Sequence, residues 1–320
     1  MRSGFITDPD EIDGRVKDRR ELDVVGIKQT YLPVSAGDDQ LSPRLSVLFR
    51  VGARTDLRAS WGRFFQSQDI LDLQVEDGVE RFFPAQLADH SIVSIEHRFR
   101  NDLNVRIEAY TKRMPDLRPR YENLFETFTL LPELQPDRTR IAPAHAAARG
   151  IELLVSSDSP GAVNWWASYT RSLVEDAVQG RYVPRNWDQR HTVSGGLTWQ
   201  RDDWTVTPAL SYHTGWPTTM LLLGNAPQAD SAASYRVVPG RRNTERLGDY
   251  QRIDVRASRS IDAGPGALEV FVEITNLLDE KNPCCVDYDL EFDSSGSSSI
   301  EQSVSFWLPR VTVIGVLWKF

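Results

Sequence analysis

Ser211 and His213 are the residues whose types and spacing come nearest to catalytic chemistry, because a histidine that takes a proton from serine is the core of nucleophilic catalysis. Two residues apart on a strand, they share one face. Neither lies in a turn that would present a nucleophile, and the sequence identifies no carboxylate to orient the histidine. We therefore interpret Ser211 and His213 as structural residues of a strand, and we expect no catalytic residue.

The histidines and the two cysteines give little indication of a metal site or of redox chemistry. The histidines have no metal-ligand spacing; they are His90, His97, His145, His191 and His213. Cys284 and Cys285 are adjacent, which is neither a zinc spacing nor a CxxC motif. An adjacent disulfide that stiffens a loop is slightly favoured for them over two thiols. We expect no metal and no cofactor.

The composition excludes two further classes of protein. The net charge of -8 argues against a nucleic-acid partner, since nucleic-acid-binding proteins usually present a basic face. The sequence contains no run of 18 apolar residues, so no membrane-spanning helix is indicated.

The strongest pattern in the sequence is an alternation of apolar and polar residues, which puts successive side chains on opposite faces of a strand. Leu103, Val105 and Ile107 alternate with Asn104 and Arg106. With an N-terminal strand near residues 20–32 and the final one, the pattern predicts about twelve strands. The other segments lie near residues 45–51, 57–61, 93–99, 151–155, 163–169, 193–199, 204–212, 253–257 and 268–274.

The length of these segments and their aromatic residues favour a membrane barrel over a sandwich. Most segments are closer in length to a tilted membrane strand of roughly 9 to 11 residues than to a strand of roughly 5 to 6 residues in a globular protein. Aromatic rings lie toward the strand ends on the apolar face, as in the girdles of outer-membrane barrels. They are Trp61, Phe99, Trp165, Tyr169, Trp199, Trp204, Tyr212, Trp318 and Phe320.

The connections between strands alternate strictly in length. Tight links rich in turn residues lie at 52–55, 100–102, 158–161, 201–203 and 262–266. Long polar stretches lie near 66–88, 115–144, 175–187, 216–247 and 278–305. Outer-membrane barrels have short periplasmic turns and long outside loops. The sequence therefore predicts an antiparallel transmembrane β-barrel over residues 20–320, a leading segment at 1–19, and Phe320 at the periplasmic interface.

Several stretches together resemble the C-terminal barrel half of TonB-dependent outer-membrane receptors. They are SPRLSVLFRV (42–51), LRASWGRFFQSQ (57–68), RGIELLV (149–155), NWDQRHTVSGGLTW (186–199), YQRIDVRASRS (250–260), EITNLLDEKN (273–282) and the terminal GVLWKF. Gly315, Trp318 and Phe320 fit the family's terminal signal to the barrel-assembly machinery, although Val313 stands where a polar residue is expected.

This resemblance implies about twelve strands of a larger, 22-stranded barrel in the outer membrane of a Gram-negative bacterium. It implies energy-coupled uptake of a scarce ligand such as a siderophore, cobalamin or an oligosaccharide. The expected partners are outer-membrane lipid, the assembly machinery, an extracellular small ligand, a plug domain and the TonB complex. The sequence shows no plug and no signal peptide, so we expect a C-terminal part that cannot transport alone.

Ligand contacts are expected on the outside loops, where four aromatic residues are candidates although such rings also lie at interfaces for structural reasons. They are Trp187, Trp216, Tyr235 and Tyr288. Charges on the polar face, such as Arg58 and Glu108, are explained by a wet barrel wall. The alternatives are a complete small barrel that acts as a passive channel or a phospholipase-like enzyme, and a soluble β-sandwich binding module.

Overall fold

The computed structural model describes residues 20–30, 39–68, 73, 75–123, 138–157, 161–225, 235–292 and 298–320. Within these ranges the chain is built of β-strands, with a single 3-10 turn at Val75–Asp77. The leading segment predicted at 1–19 lies outside the described residues.

Twelve long strands carry the architecture. They are β1 (Arg20–Thr30), β2 (Asp39–Val51), β3 (Thr55–Gln66), β4 (Gln86–Arg98), β5 (Leu103–Met114), β8 (His145–Ser157), β9 (Val163–Val178), β11 (His191–Arg201), β12 (Trp204–His213), β17 (Tyr250–Ala263), β18 (Gly266–Thr275) and β21 (Val311–Lys319). The short strands are β6 (Arg120–Asn123), β7 (Arg138–Ile141), β10 (Arg181–Pro184), β13 (Pro217–Thr218), β14 (Leu221–Asn225), β15 (Tyr235–Pro239), β16 (Glu245–Arg246), β19 (Pro283–Phe292) and β20 (Ser298–Phe306).

The twelve long strands pair in chain order into one antiparallel sheet, and β10 adds to β9 at one end. The order runs β1-β2-β3-β4-β5-β8-β9-β11-β12-β17-β18-β21. Among the described strands, β1 and β21 each pair with a single neighbour, so the sheet does not close on itself. The predicted all-β antiparallel fold of about twelve long strands is confirmed.

The register aligns the apolar positions of successive strands into one continuous surface. Leu57 is paired with Ile95, Ile95 with Ile107, Ile107 with Leu153, and Leu153 with Tyr169. In a soluble protein this surface would be a core, yet Ile107 keeps 45% of its area exposed. A broad apolar face of this kind, backed by a polar one, is the arrangement of a barrel wall in lipid.

The opposite face is lined by polar residues that pair with one another. Arg98 Nη2 lies 2.9 Å from Asp56 Oδ2, and Lys319 Nζ lies 2.8 Å from Glu269 Oε2. Arg256 contacts Glu273 Oε2 at 3.1 Å and stacks over a phenyl ring. These contacts support the interpretation of the inward charges as a polar wall.

The aromatic residues of the apolar face lie in two bands. Trp165, Trp199, Trp204 and Trp318 lie near the tight turns. Nearer the other end, Tyr169 and Tyr212 are both paired with one valine, Val193, from opposite sides. Rings at both ends of the apolar band match the girdles expected from the sequence.

The long connections contain strand pairs that the sequence interpretation assigned to loops. The described parts of these connections form the hairpin β6–β7, the nested pairs β13–β16 and β14–β15, and the ribbon β19–β20. The prediction of plain loops there was wrong. In β19, Val286 and Tyr288 alternate with Asp287 and Asp289. This alternation indicates a strand, but it was missed when residues 278–305 were assigned to a loop.

Gly315 has a packing role in addition to its place in the terminal motif. A Cβ atom at this position would lie 2.2 Å from the ring of Phe271, its cross-strand partner, which in turn contacts the Arg256 guanidinium at 3.8 Å. The glycine therefore makes room for that stack on the polar face.

Gly315→Val is expected to lower the stability of the folded protein by about 1 to 3 kcal/mol, because Phe271 and Arg256 must move to accommodate the new side chain. The temperature at which the folded band is lost in heat-modifiability gels measures this. Val316→Ala is the matched control, since Val316 lies on the apolar face and its truncation displaces nothing.

Candidate functional site

Four aromatic rings come together where β12 and β17 reach the long-connection end of the sheet. Trp187 and Trp216 meet edge to face, with ring centroids 5.2 Å apart. His213 stacks on Trp216 at 4.8 Å on one side and on Tyr250 at 4.8 Å on the other. We call these four residues the aromatic cluster.

The strands position this cluster through their last ladder pair. His213 ends β12 and is paired with Tyr250, the first residue of β17, so the two rings lie within 2° of parallel. Asp249, which precedes β17, links this strand to the end of β12. Its carboxylate accepts hydrogen bonds from Gly215 N at 3.0 Å and from the Tyr212 hydroxyl at 2.7 Å. The stack is therefore held from both strands.

A cleft of about 300 Å³ opens beside the cluster. Its lining residues are His213, Trp216, Tyr250, Arg252, Thr275, Asn282, Trp307 and Leu308. The Asn282 side chain is fixed by two hydrogen bonds to the backbone of Gln251, at 2.7 and 2.9 Å. The Arg252 guanidinium contacts Asp254 at 2.9 Å. Flat aromatic walls beside the paired Arg252 and Asp254 side chains suit a planar ligand that carries polar groups.

Two of the four predicted ligand aromatics, Trp187 and Trp216, lie in the cluster. Tyr288 lies in β19 and does not line the cleft, and burial raises the pKa of its phenol above the ordinary value. Tyr235 begins β15, but its side chain lies outside the described residues. Sequence reasoning missed Tyr250 and Trp307 as lining residues, because both lie just outside the stretches 216–247 and 278–305 that it assigned to outside connections.

Below the cluster, Asp188 joins three chain segments. Its carboxylate is fully buried and accepts hydrogen bonds from Val174 N at 2.7 Å, from Arg190 Nε at 2.8 Å and from Arg246. Arg246 also donates to the backbone carbonyls of Asp188 and Gly215, at 2.9 and 2.8 Å. Asp188 therefore ties β9 to the chain on both sides of the aromatic cluster.

A second buried network lies around Asp176 and Glu122. Arg120 Nη2 donates to Asp176 at 2.5 Å and to Glu122 at 2.6 Å, and Arg185 Nε donates to Asp176 at 2.8 Å. Arg242 contacts Glu122 through two nitrogens. Burial alone would lower the pKa of Arg120, but the charges of Glu122 and Asp176 raise it above the usual value. This network therefore ties β6 to β9 and to the chain at Arg185 and Arg242.

Ser211 and His213 do not form a nucleophile–base pair with an orienting acid. The His213 Nδ1 atom lies 3.0 Å from the carbonyl oxygen of Thr214, which accepts its hydrogen bond. Within the described residues, no carboxylate shares a hydrogen bond with this imidazole. The ring instead serves as the middle member of the aromatic stack.

Cys284 and Cys285 lie at the start of β19, and both are half-buried thiols in the structure. The ladder pairs Pro283 with Phe306 and Cys285 with Ser305, so Cys284 falls in a bulge. The adjacent disulfide stays a prediction.

The part of the chain that the structure describes contains no helix long and apolar enough to cross a membrane. Across the same ranges, no three His, Cys, Asp or Glu side chains are grouped in a way that could hold a metal ion.

A family comparison decides what kind of barrel this sheet belongs to. The family model described as TonB dependent receptor-like, beta-barrel matches residues 12–277, which is most of the chain. The chain belongs to the TonB-dependent receptor family. It is therefore a protein of the Gram-negative outer membrane, as the sequence predicted.

Solved TonB-dependent receptors have the same fold at low sequence identity. The pyoverdine receptor FpvA of Pseudomonas aeruginosa PAO1, bound to pyoverdine, matches with a TM-score of 0.55 and 15% identity over 88% of this chain and 36% of its own. A mutant of the ferric enterobactin receptor PfeA from Pseudomonas aeruginosa matches with a TM-score of 0.56 and 14% identity, over 88% and 40%.

The ferric citrate transporter FecA in its unliganded form matches with a TM-score of 0.52 and 13% identity, over 88% of this chain and 38% of its own. The chain thus spans less than half the length of each of these receptors. No curated protein sequence matches the chain.

Proposed function

We propose that this chain is the C-terminal part of the barrel of a receptor for energy-coupled uptake of a scarce ligand across the outer membrane. It contributes about half of a family barrel's wall and the connections above it. Capture at the outside end and opening of a path past a plug need no covalent chemistry, so we propose that the chain is not an enzyme.

One observation carries this proposal. Twelve antiparallel strands form a single sheet with one apolar and one polar face, and the connections alternate between tight turns and long excursions. A water-filled interior behind a lipid-facing wall is what passage of a polar ligand requires.

The faces of the sheet suggest where the partners bind. Outer-membrane lipid covers the apolar face, and the barrel-assembly machinery reads Gly315, Trp318 and Phe320 at the end of β21. A plug domain contacts the polar face, where a second cleft of about 280 Å³ near the tight turns is lined by Arg256, Glu269 and other polar residues. The plug carries the force that the TonB complex supplies.

The aromatic cluster is our candidate for the extracellular ligand site. Trp216→Ala is expected to weaken ligand capture roughly tenfold, because tryptophan residues that line a binding cleft often contribute most of the binding energy. Initial uptake rates at low ligand concentration measure the change. Trp204→Phe is the control, since Trp204 lies at the opposite end of β12 on the lipid face.

Whole-cell uptake tests the proposed function. Cells in which the gene carrying this chain is deleted should lose uptake of at least one radiolabelled probe among ferric citrate, ferric enterobactin and cobalamin. An uncoupler of the proton gradient should abolish the same uptake in the parent strain. Uptake that resists the uncoupler would favour a passive channel, and unchanged uptake of all three probes would count against these ligand classes.

A further inference from the structure

A second outside cleft, separate from the aromatic one, lies between the tip of the β9–β10 hairpin and residues 240–244. Its volume is about 470 Å³, and its charged lining residues are Arg181, Arg241 and Arg242. No acidic side chain is among the described residues that line it. We call it the arginine cleft; it shares no lining residue with the cleft beside the aromatic cluster.

Arg242 lines this cleft and contains one buried donor without a partner in the described part of the chain. Its Nε and Nη2 atoms donate to the two carboxylate oxygens of Glu122, at 2.9 and 2.6 Å. Its Nη1 atom is buried and has no hydrogen-bond acceptor among the described residues. A buried N–H group without an acceptor costs free energy, so the ion pair with Glu122 does not fully satisfy the Arg242 guanidinium.

The network beneath the cleft carries an excess of positive charge. Three arginines, Arg120, Arg185 and Arg242, contact two carboxylates, Glu122 and Asp176, which leaves one positive charge uncompensated. Two further arginines at the rim, Arg181 and Arg241, are exposed and form no ion pair with any described residue. The whole chain has a net charge of -8, so composition does not explain this local excess.

The walls of the arginine cleft are tied together. The Asn243 side-chain amide donates to the Pro184 carbonyl and to Asn186 Oδ1, both at 2.7 Å. At the hairpin tip, Gln179 and Gly180 have φ values of +50° and +77°, which is the backbone of a tight two-residue hairpin turn. A site with preformed walls loses less freedom when it binds an ion.

We propose that the arginine cleft binds a phosphate group of a soluble ligand. A planar guanidinium offers paired donors to phosphate oxygens, and a phosphate dianion presents three acceptor oxygens and up to two negative charges, whereas a carboxylate presents two oxygens and one charge. Arg181 is paired with Val178, which lies two residues from Asp176 on the polar face. The cleft therefore belongs to the polar side of the sheet and not to its lipid side.

Calorimetric titration of the full chain in detergent with pyrophosphate tests this proposal. The double variant Arg181→Gln/Arg241→Gln should bind pyrophosphate at least tenfold more weakly, and both side chains are exposed, so the fold should persist. Arg201→Gln is the matched control, since Arg201 is 74% exposed beside a tight turn at the other end of the sheet. Unchanged affinity in a folded double variant would overturn the proposal.

Two competitors test separately whether the cleft prefers phosphate to carboxylate and whether the phosphate belongs to a soluble ligand or to a lipid headgroup. Citrate should bind at least tenfold more weakly than pyrophosphate, and equal binding would overturn the preference for phosphate. Nanodiscs that contain lipid A should not displace pyrophosphate. Displacement that depends on Arg181 and Arg241 would assign the site to a lipid headgroup and overturn the soluble source. These outcomes do not depend on which ligand the receptor transports.

Discussion

Asp188→Ala is expected to lower the free energy of unfolding by about 3 to 5 kcal/mol, the usual cost of removing one partner from a buried ion pair. The substitution leaves the Arg190 and Arg246 guanidinium groups without their shared carboxylate and takes the acceptor from Val174 N. The connections around the aromatic cluster should therefore loosen. The folded fraction in heat-modifiability gels across a urea series measures the loss.

A surface carboxylate provides the control. Asp203 is 62% exposed, and its nearest cation, Arg259, lies 4.0 Å away. Asp203→Ala should change the free energy of unfolding by less than about 1 kcal/mol, as for most surface ion pairs. Equal effects of the two substitutions would show that the buried network around Asp188 does not stabilise the outside connections.

Val93→Arg is expected to destabilise the membrane-inserted barrel by about 2 to 4 kcal/mol, because Val93 lies within the apolar face that should contact lipid tails. Val93 is 56% exposed in the isolated sheet and is paired with Ala59 and Ala109. The yield of folded protein in vesicles of dilauroyl phosphatidylcholine measures the effect.

Ser94→Arg is the neighbouring control. Ser94 lies on the polar face and is paired with Glu108 on one side and Arg58 on the other, so a new cation there keeps contact with water and with a carboxylate. Its folded yield should stay close to that of the parent chain. If Ser94→Arg were the more damaging substitution, the two faces of the sheet would have been assigned in reverse.

The strands of the main sheet could be predicted from the sequence because most of their apolar residues lie on one face, as Leu103 to Ile107 illustrate. A lipid-facing wall imposes that period of two on every strand. The short hairpins above the sheet were missed because strands of two to five residues are too short for alternation to be visible.

The candidate site could be predicted only in part. Trp187 and Trp216 were identified from their place in outside connections, but the stack that unites them with His213 and Tyr250 depends on the ladder pair between β12 and β17. The spacing of these four residues in the sequence does not reveal how β12 and β17 are paired. The buried network was missed for the same reason, because Asp188 and Arg246 are 58 residues apart.

Accessibility of spin labels along β5 tests most directly whether this sheet is a lipid-facing wall. Single cysteines would be placed at each position from Leu103 to Met114, in a background without Cys284 and Cys285 and with the protein in lipid bilayers. Labels at 103, 105, 107 and 109 should collide with oxygen, and those at 104, 106, 108 and 110 with a water-soluble nickel chelate. Equal access of the chelate to both sets would contradict a lipid-facing wall.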